Sequence, residues 1–176
     1  GAGTVARSLI EAYSAAFPGA RFLIWNRTGA KARALADAFG HVTAVDDLAE
    51  AVGQADILSC ATMSTTPVLQ GAWLRPGTHV DLIGAYRPDM READDAALTR
   101  ARVFVDSLDT TVGHIGEIRD PIARGVISEA DIVADYYDLG AFARQSEDEI
   151  TLFKNGGGAH LDLMVSRYIL DRWQTR

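Results

Sequence analysis

The chain reads as an α/β protein built on a doubly wound parallel sheet, and three observations carry that reading. Short apolar runs of strand length alternate with amphipathic helical stretches as far as Asp106. A glycine-rich turn, Gly1-Ala2-Gly3-Thr4-Val5-Ala6, runs straight into a helix. Small or polar residues such as Asn26, Thr62 and Gly84 stand where apolar runs stop. That is the carboxyl end of a strand, where an open α/β sheet has its ligand crevice.

Each element has its own signal. Val5, Leu9, Ala12, Tyr13 and Ala16 recur at helical spacing and predict a helix over residues 4–16, which Pro18-Gly19 ends. Residues 21–25 form a strand-length apolar run. Ala32, Leu35, Ala36 and Phe39 predict a second helix over 30–39, with Gly40 as its stop. A weak strand at 42–45, a short Asp-capped helix at 46–52 and a buried strand at 56–61 follow. Residues 71–77 read as a turn-rich linker, 78–83 as a strand, 94–100 as a helix and 103–106 as a strand.

From 107 to 140 the pattern dissolves into short helices and turns around Gly113, Gly116, Pro121 and Gly125. Asp148-Glu149 has the look of a cap before residues 150–154. The glycine run at 155–158 then opens a last helix over 159–173, with Leu161, Met164, Val165, Tyr168, Ile169 and Trp173 on one flank. Such a flank needs a surface to pack on. The expected organisation is a nucleotide-binding domain over 1–140, followed by a C-terminal segment and helix over 141–176.

Composition bounds the function. With 176 residues, 48% of them hydrophobic, the chain suits one globular domain with an appendage. Seventeen Lys+Arg against 24 Asp+Glu leave a net charge of −7, which argues against a nucleic-acid partner. The single cysteine, Cys60, lies in an apolar run and reads as a small buried hydrophobe. No apolar run approaches the ~20 residues of a membrane span, and no signal peptide is visible, so a cytoplasmic location is expected. His41, His79, His114 and His160 are scattered without metal-ligand spacing, so no metal is expected. Asp46, Asp47, Asp94 and Asp95 are most simply helix caps. A start in the middle of a phosphate-type turn leads us to expect a piece of a longer polypeptide.

Four segments carry chemistry. In G-x-G-x-x-A the first glycine allows a tight turn, the second lets the backbone approach a pyrophosphate, and the small third residue packs helix on strand. Gly1, Ala2, Gly3, Thr4 and Val5 are therefore cofactor candidates, with the helix N-terminus aimed at phosphates. Asn26, Arg27 and Thr28, with Lys31 just beyond, stand where a nucleotide's ribose edge lies. An acid there binds a free 2′-hydroxyl, whereas an arginine favours a 2′-phosphate. The sequence supplies Arg27 and no acid, so NADP (as NADPH) is the expected cofactor; the competing reading is a solvated turn.

Thr62 and Met63 follow the strand ending near Cys60. They touch a cofactor if the sheet forms as expected, and are otherwise an ordinary Ser/Thr-rich turn. Gly84 closes a strand in the same crevice, and Tyr86 stands beyond it as a substrate-side candidate. Asn155 and the three glycines after it read either as a second close backbone approach to a ligand or as a hinge. The sequence assigns no catalytic residue.

The ordered motifs G-A-G-x-x-A, I-W-N-R-T, A-D-I-L-S-C-A-T, G-A-W-L-R-P-G-T-H-V-D-L-I-G-A-Y-R-P-D-M-R-E, V-F-V-D-S and E-I-T-L-F-K-N-G-G-G span essentially the whole chain. Together they resemble the ornithine cyclodeaminase/mu-crystallin family. That resemblance implies a Rossmann-like domain lacking its first strand here. It also implies an absent substrate and dimerisation domain, to which the last helix returns and which carries the family's carboxylate-binding arginine and active-site lysine. A homodimer is implied for the full-length protein.

Asn26-Arg27-Thr28 matches the NADPH-binding members. Tyr86 stands where cyclodeaminases carry a catalytic aspartate, so the resemblance implies a reductase of a cyclic imine or ketimine amino acid such as Δ1-pyrroline-2-carboxylate. Alternatives are an ornithine cyclodeaminase, an alanine-type amino-acid dehydrogenase and a non-enzymatic, mu-crystallin-like binder of NADPH. Two further departures from the family pattern are His114-Ile115-Gly116-Glu117, where many relatives have E-A-G-D, and Asn155 in place of the serine of S-x-G.

Overall fold

The alternation of apolar runs and amphipathic stretches is realised in a computed structural model that describes residues 1–175. In chain order the elements are α1 (Thr4–Ala16), β1 (Phe22–Ile24), α2 (Gly29–Phe39), β2 (Val42–Ala44), α3 (Leu48–Gln54), β3 (Ile57–Cys60) and β4 (His79–Leu82). There follow α4 (Asp95–Arg100), β5 (Arg102–Val105), α5 (Leu108–Thr111), α6 (Gly116–Ala123), β6 (Ile132–Ala134), β7 (Thr151–Lys154) and α7 (Ala159–Gln174). The expected caps form at two helices. Asp47 accepts from the Glu50 N–H at 2.9 Å to open α3, and Asp94 accepts from the Ala97 N–H at 2.9 Å to open α4.

All strand pairings are parallel. β1 pairs with β2, and five strands form a second sheet in the order β3-β4-β7-β5-β6. Alternation along the strands sends Val80, Leu82, Val103, Val105 and Leu152 to one face. There they join Val52, Ala97, Leu98 and Ile118 in the main core. A separate cluster of Ala6, Ile10, Ile24, Ala32, Leu35, Ala36 and Val42 welds α1 and α2 to the two-stranded pair.

Between the two sheets lies a slot of about 650 Å³, walled by β1 residues Leu23 and Ile24 on one side and β3 residues Ile57 to Cys60 on the other. Each of these strands has one hydrogen-bonded neighbour, so an edge of each lies open.

Two strands were not assigned from the sequence. Thr151–Lys154 is β7, central in the sheet, with Thr151 in register with both His79 and Arg102. Its four residues end in a lysine, too brief and too charged a run to announce a central strand. Glu149 caps no helix: its carboxylate meets Arg102 at 3.4 Å and accepts from the Gln145 N–H at 3.1 Å. The sheet thus continues past residue 140, through β7 to Lys154. β6 lies inside the stretch where periodicity fails.

The last helix runs as expected, and Leu163, Met164, Val165, Tyr168, Ile169 and Trp173 are exposed along it. Because Leu152 is fully buried between β4 and β5, Leu152→Ala is expected to cost about 2–5 kcal/mol by transfer and cavity effects together. Denaturant unfolding of the two proteins measures the difference.

Candidate functional site

The strand register builds the site's edge. Cys60 is opposite Leu82, Leu82 opposite Lys154, and Lys154 opposite Val105. Four parallel strands therefore end on one level, and the next residues, Ala61, Ile83, Asn155 and Asp106, share the rim of the crevice. The Asn155 N–H donates to the Leu82 carbonyl at 3.0 Å, extending the ladder one step past the strand ends.

The glycine turn sits beside this rim. A Cβ placed on Gly1 would lie 2.6 Å from the Ala61 carbonyl oxygen and 3.5 Å from Thr62 Cγ2, so only glycine fits against the end of β3. Over Gly3 the opposite holds, since a Cβ there would meet nothing within 4 Å. α1 starts without a side-chain cap and without an acid in its first turn. Its N–H groups and positive dipole end are thus left for an anion, as a pyrophosphate requires. Asn26 braces the turn: its Oδ1 accepts from the Ala2 N–H at 3.2 Å, and its Nδ2 donates to the Thr28 carbonyl at 3.0 Å. Arg27, Thr28 and Lys31 are exposed around the start of α2. Nearby, Arg33 meets Asp46 at 3.4 Å, both side chains well exposed.

Beneath the other half of the rim lies a stack of buried charge. Glu92 and Glu117 are fully buried, and so is Lys154. Glu92 Oε1 accepts from the Thr62 N–H (2.6 Å) and hydroxyl (2.8 Å). Its Oε2 accepts from the N–H groups of Gly84 (2.7 Å) and Ala85 (3.1 Å). Glu117 in turn accepts from the N–H groups of Glu92 (2.6 Å) and Ala93 (3.0 Å). Burial raises the Glu117 carboxyl to about 7 against the pull of those two donors. Burial also lowers the Lys154 ammonium, opposed by Glu92, Glu117, Asp106 and Asp81; its Nζ donates to the Leu82 carbonyl at 3.0 Å. Burial and the Glu92 charge push the Cys60 thiol up.

The structure brings most of the sequence-predicted residues together. Gly1 meets Thr62 by contact and Ala2 meets Asn26 by a hydrogen bond, with Gly3 at the N-cap of α1 and Thr4 and Val5 in its first turn. Gly84 packs on Thr62 so closely that a Cβ would collide with the Thr62 backbone. Met63 is exposed, and Tyr86 is exposed with the Arg87 guanidinium 5.8 Å from its ring centre. Asn155 turns its Oδ1 to the Gly157 N–H at 2.8 Å, closing a local turn. The glycines after it approach the chain's own Asp106: Gly158 N–H lies 3.4 Å from Oδ2, and Gly156 lies against Thr111. Gly157 between them, with a positive φ of 74°, has nothing within 4 Å of a Cβ position.

Sequence reasoning passed over Glu92, Glu117, Lys154 and Asp106 as functional residues. Asp106 and Lys154 do close apolar runs, but Glu92 stands in a polar stretch and Glu117 in the first turn of α6. Only the fold shows the backbone N–H groups that the three acids face and the Leu82 carbonyl that Lys154 meets.

A glycine turn on a helix N-terminus, level strand ends and a braced ribose edge define a dinucleotide-binding α/β domain. The model of the ornithine cyclodeaminase/mu-crystallin family matches residues 1–176, and the chain belongs to that family. It is 58% identical over 177 residues to a Δ1-pyrroline-2-carboxylate reductase of Paracoccus denitrificans, covering 96% of this chain and 56% of that protein.

Among solved structures it resembles the Thermococcus litoralis Δ1-pyrroline-2-carboxylate reductase in complex with NADH and L-proline. The TM-score is 0.80 at 31% identity, over 89% of this chain and 51% of that one. It also resembles an archaeal alanine dehydrogenase dimer with bound NAD, with a TM-score of 0.88 at 29% identity over 99% of this chain and 56% of that one. The chain thus spans about half the length of the relatives it matches.

The raised Glu117 carboxyl has a signed consequence. Its folded value of about 7 lies above its ordinary 4.5, so between these the folded chain holds a proton that the unfolded chain has released. Its contribution to stability is then full below about 4.5, falls as pH rises to about 7, and levels off above. Unfolding free energies of wild type and Glu117→Gln across pH 4–8, compared pairwise, are expected to show that slope in the wild type only.

Proposed function

We propose that the chain is the dinucleotide-binding part of an NADPH-dependent reductase of a cyclic imino acid, with Δ1-pyrroline-2-carboxylate as the representative substrate. One observation carries the choice of reaction: Tyr86, two residues beyond Gly84, is an exposed phenol, where the resembling cyclodeaminases carry a carboxylate. The 58% identity to a reductase of that substrate supports the same reading.

A bound nicotinamide supplies the hydride for an imine carbon. The chain's own work is placement. The α1 N-terminus and the turn over Gly3 hold the pyrophosphate, and Asn26 keeps that turn in shape through the Ala2 N–H. Tyr86, beside Arg87, faces the substrate side and steers the imine. Arg27 and Lys31 receive the 2′-phosphate, and the absence of an acid among residues 26–28 favours NADPH over NADH. The exposed apolar flank of α7 supports packing of this helix against a further domain of the full-length protein, which is taken to be a homodimer.

In the full-length protein, NADPH oxidation is expected only when Δ1-pyrroline-2-carboxylate is added, and ornithine is expected to release no ammonia. Ammonia release without NADPH oxidation makes the protein a cyclodeaminase instead. Intact NADPH binding with neither reaction makes it a binder. For the cofactor, Arg27→Ala is expected to weaken NADPH by about 1–3 kcal/mol and leave NADH nearly unchanged. Titration by nicotinamide fluorescence reads both, and equal losses overturn the assignment of Arg27 to the phosphate.

A further inference from the structure

We infer that Glu92 is a positioning residue for the nicotinamide half of the cofactor, tying the turns after β3 and β4 into one rigid platform. The inference rests on the dinucleotide reading above and adds to it a residue that touches neither phosphate nor ribose edge.

A carboxylate has about four lone-pair sites, and Glu92 fills all four from two different loops. Thr62 gives its N–H and hydroxyl to Oε1, while Gly84 and Ala85 give their N–H groups to Oε2. These loops leave neighbouring strands at the same level, because Cys60 and Leu82 are in register. Contact between them is direct, since a Cβ on Gly84 would lie 2.5 Å from Glu92 Oε1 and collide with the Thr62 backbone. Glu92 is itself clamped from below. Its N–H donates to Glu117 at 2.6 Å, and its carbonyl accepts from the N–H groups of Val68 and Leu69, each at 2.8 Å.

The position of the platform decides which half of the cofactor it serves. Gly1 packs on Ala61 and Thr62, whereas Asn26 and Arg27 lie on the β1 side of the glycine turn. A dinucleotide laid across the turn with its ribose edge at Asn26 brings its other half over Thr62 and Gly84. A platform fixed to a few tenths of an ångström is what orientation of a reacting ring requires. The Glu92 side chain is fully buried, so it acts through the loops and not by touching the ligand.

Glu92→Gln keeps the length but replaces one acceptor oxygen by an NH2 group that faces N–H donors, which releases one loop. Glu92→Asp keeps both acceptors on a shorter arm. The probes are NADPH and 2′-phospho-ADP-ribose, which lacks the nicotinamide, titrated into the full-length protein.

For Glu92→Gln, NADPH affinity is expected to fall at least tenfold and that of 2′-phospho-ADP-ribose to change less than threefold. Glu92→Asp is expected to lose less NADPH affinity than Glu92→Gln. The stoichiometry of 2′-phospho-ADP-ribose binding counts folded molecules, and if Glu92→Gln yields none the aspartate variant carries the same comparison. Parallel loss of both ligands, or no loss, overturns the inference while the dinucleotide reading stands. A wild type that binds neither NADPH nor NADH overturns both. A wild type that binds only NADH overturns the cofactor choice alone, and the comparison then runs with NADH and ADP-ribose.

Discussion

Insertion of β7 between β4 and β5 is the constraint on which the site depends. Without a strand hydrogen-bonded to both, β4 and β5 have no common neighbour, and the crevice rim has no continuity. β7 arrives late in the chain, yet its register sets Lys154 level with Leu82 on one side and Val105 on the other. The same placement drives the Lys154 side chain into the interior. A buried ammonium is costly to leave uncompensated. It is answered here by the Leu82 carbonyl and by the nearby charges of Glu92, Glu117, Asp106 and Asp81. One backbone register therefore decides both the shape of the rim and the electrostatics beneath it.

Local signals carried most of the elements. α1, α2 and α7 were legible because their apolar residues recur at helical spacing over three or more turns, and α3 and α4 because an Asp cap opens each. β7 and β6 were not, because a three- or four-residue strand gains its stability from neighbours distant in sequence and leaves little local pattern. The site divides along the same line. Gly1 to Val5, Asn26, Thr62 and Gly84 were readable from punctuation at strand ends. Glu92 and Glu117 were not, since an acid in a polar loop or in the first turn of a helix looks like a solvated one until the fold shows the N–H groups it meets. Of the glycines after Asn155, Gly156 lies against Thr111 and the Gly158 N–H faces Asp106, packing that only the fold reveals.

The acids are also unevenly placed with respect to the proposed dinucleotide site. A net charge of −7 is unhelpful for an anionic dinucleotide. Several of the acids, however, are spent on the backbone. Glu92, Glu117, Asp47, Asp94, Asp106, Asp131 and Asp135 each accept from main-chain N–H groups. Strand ends and turns leave such donors without partners, and a carboxylate satisfies two or more of them at once.

At the glycine turn itself the arrangement is reversed. α1 has no acidic residue in its first turn, and Asn26, a neutral acceptor, braces Ala2. Arg27, Lys31 and Arg33 stand on the exposed side, with Asp46 partly offsetting Arg33. Exposed charges beyond ~10 Å are largely screened at ordinary ionic strength. The field an approaching pyrophosphate meets is therefore that of this local set and of the helix N-terminus, while the carboxylates behind the rim shape the loops without facing the ligand.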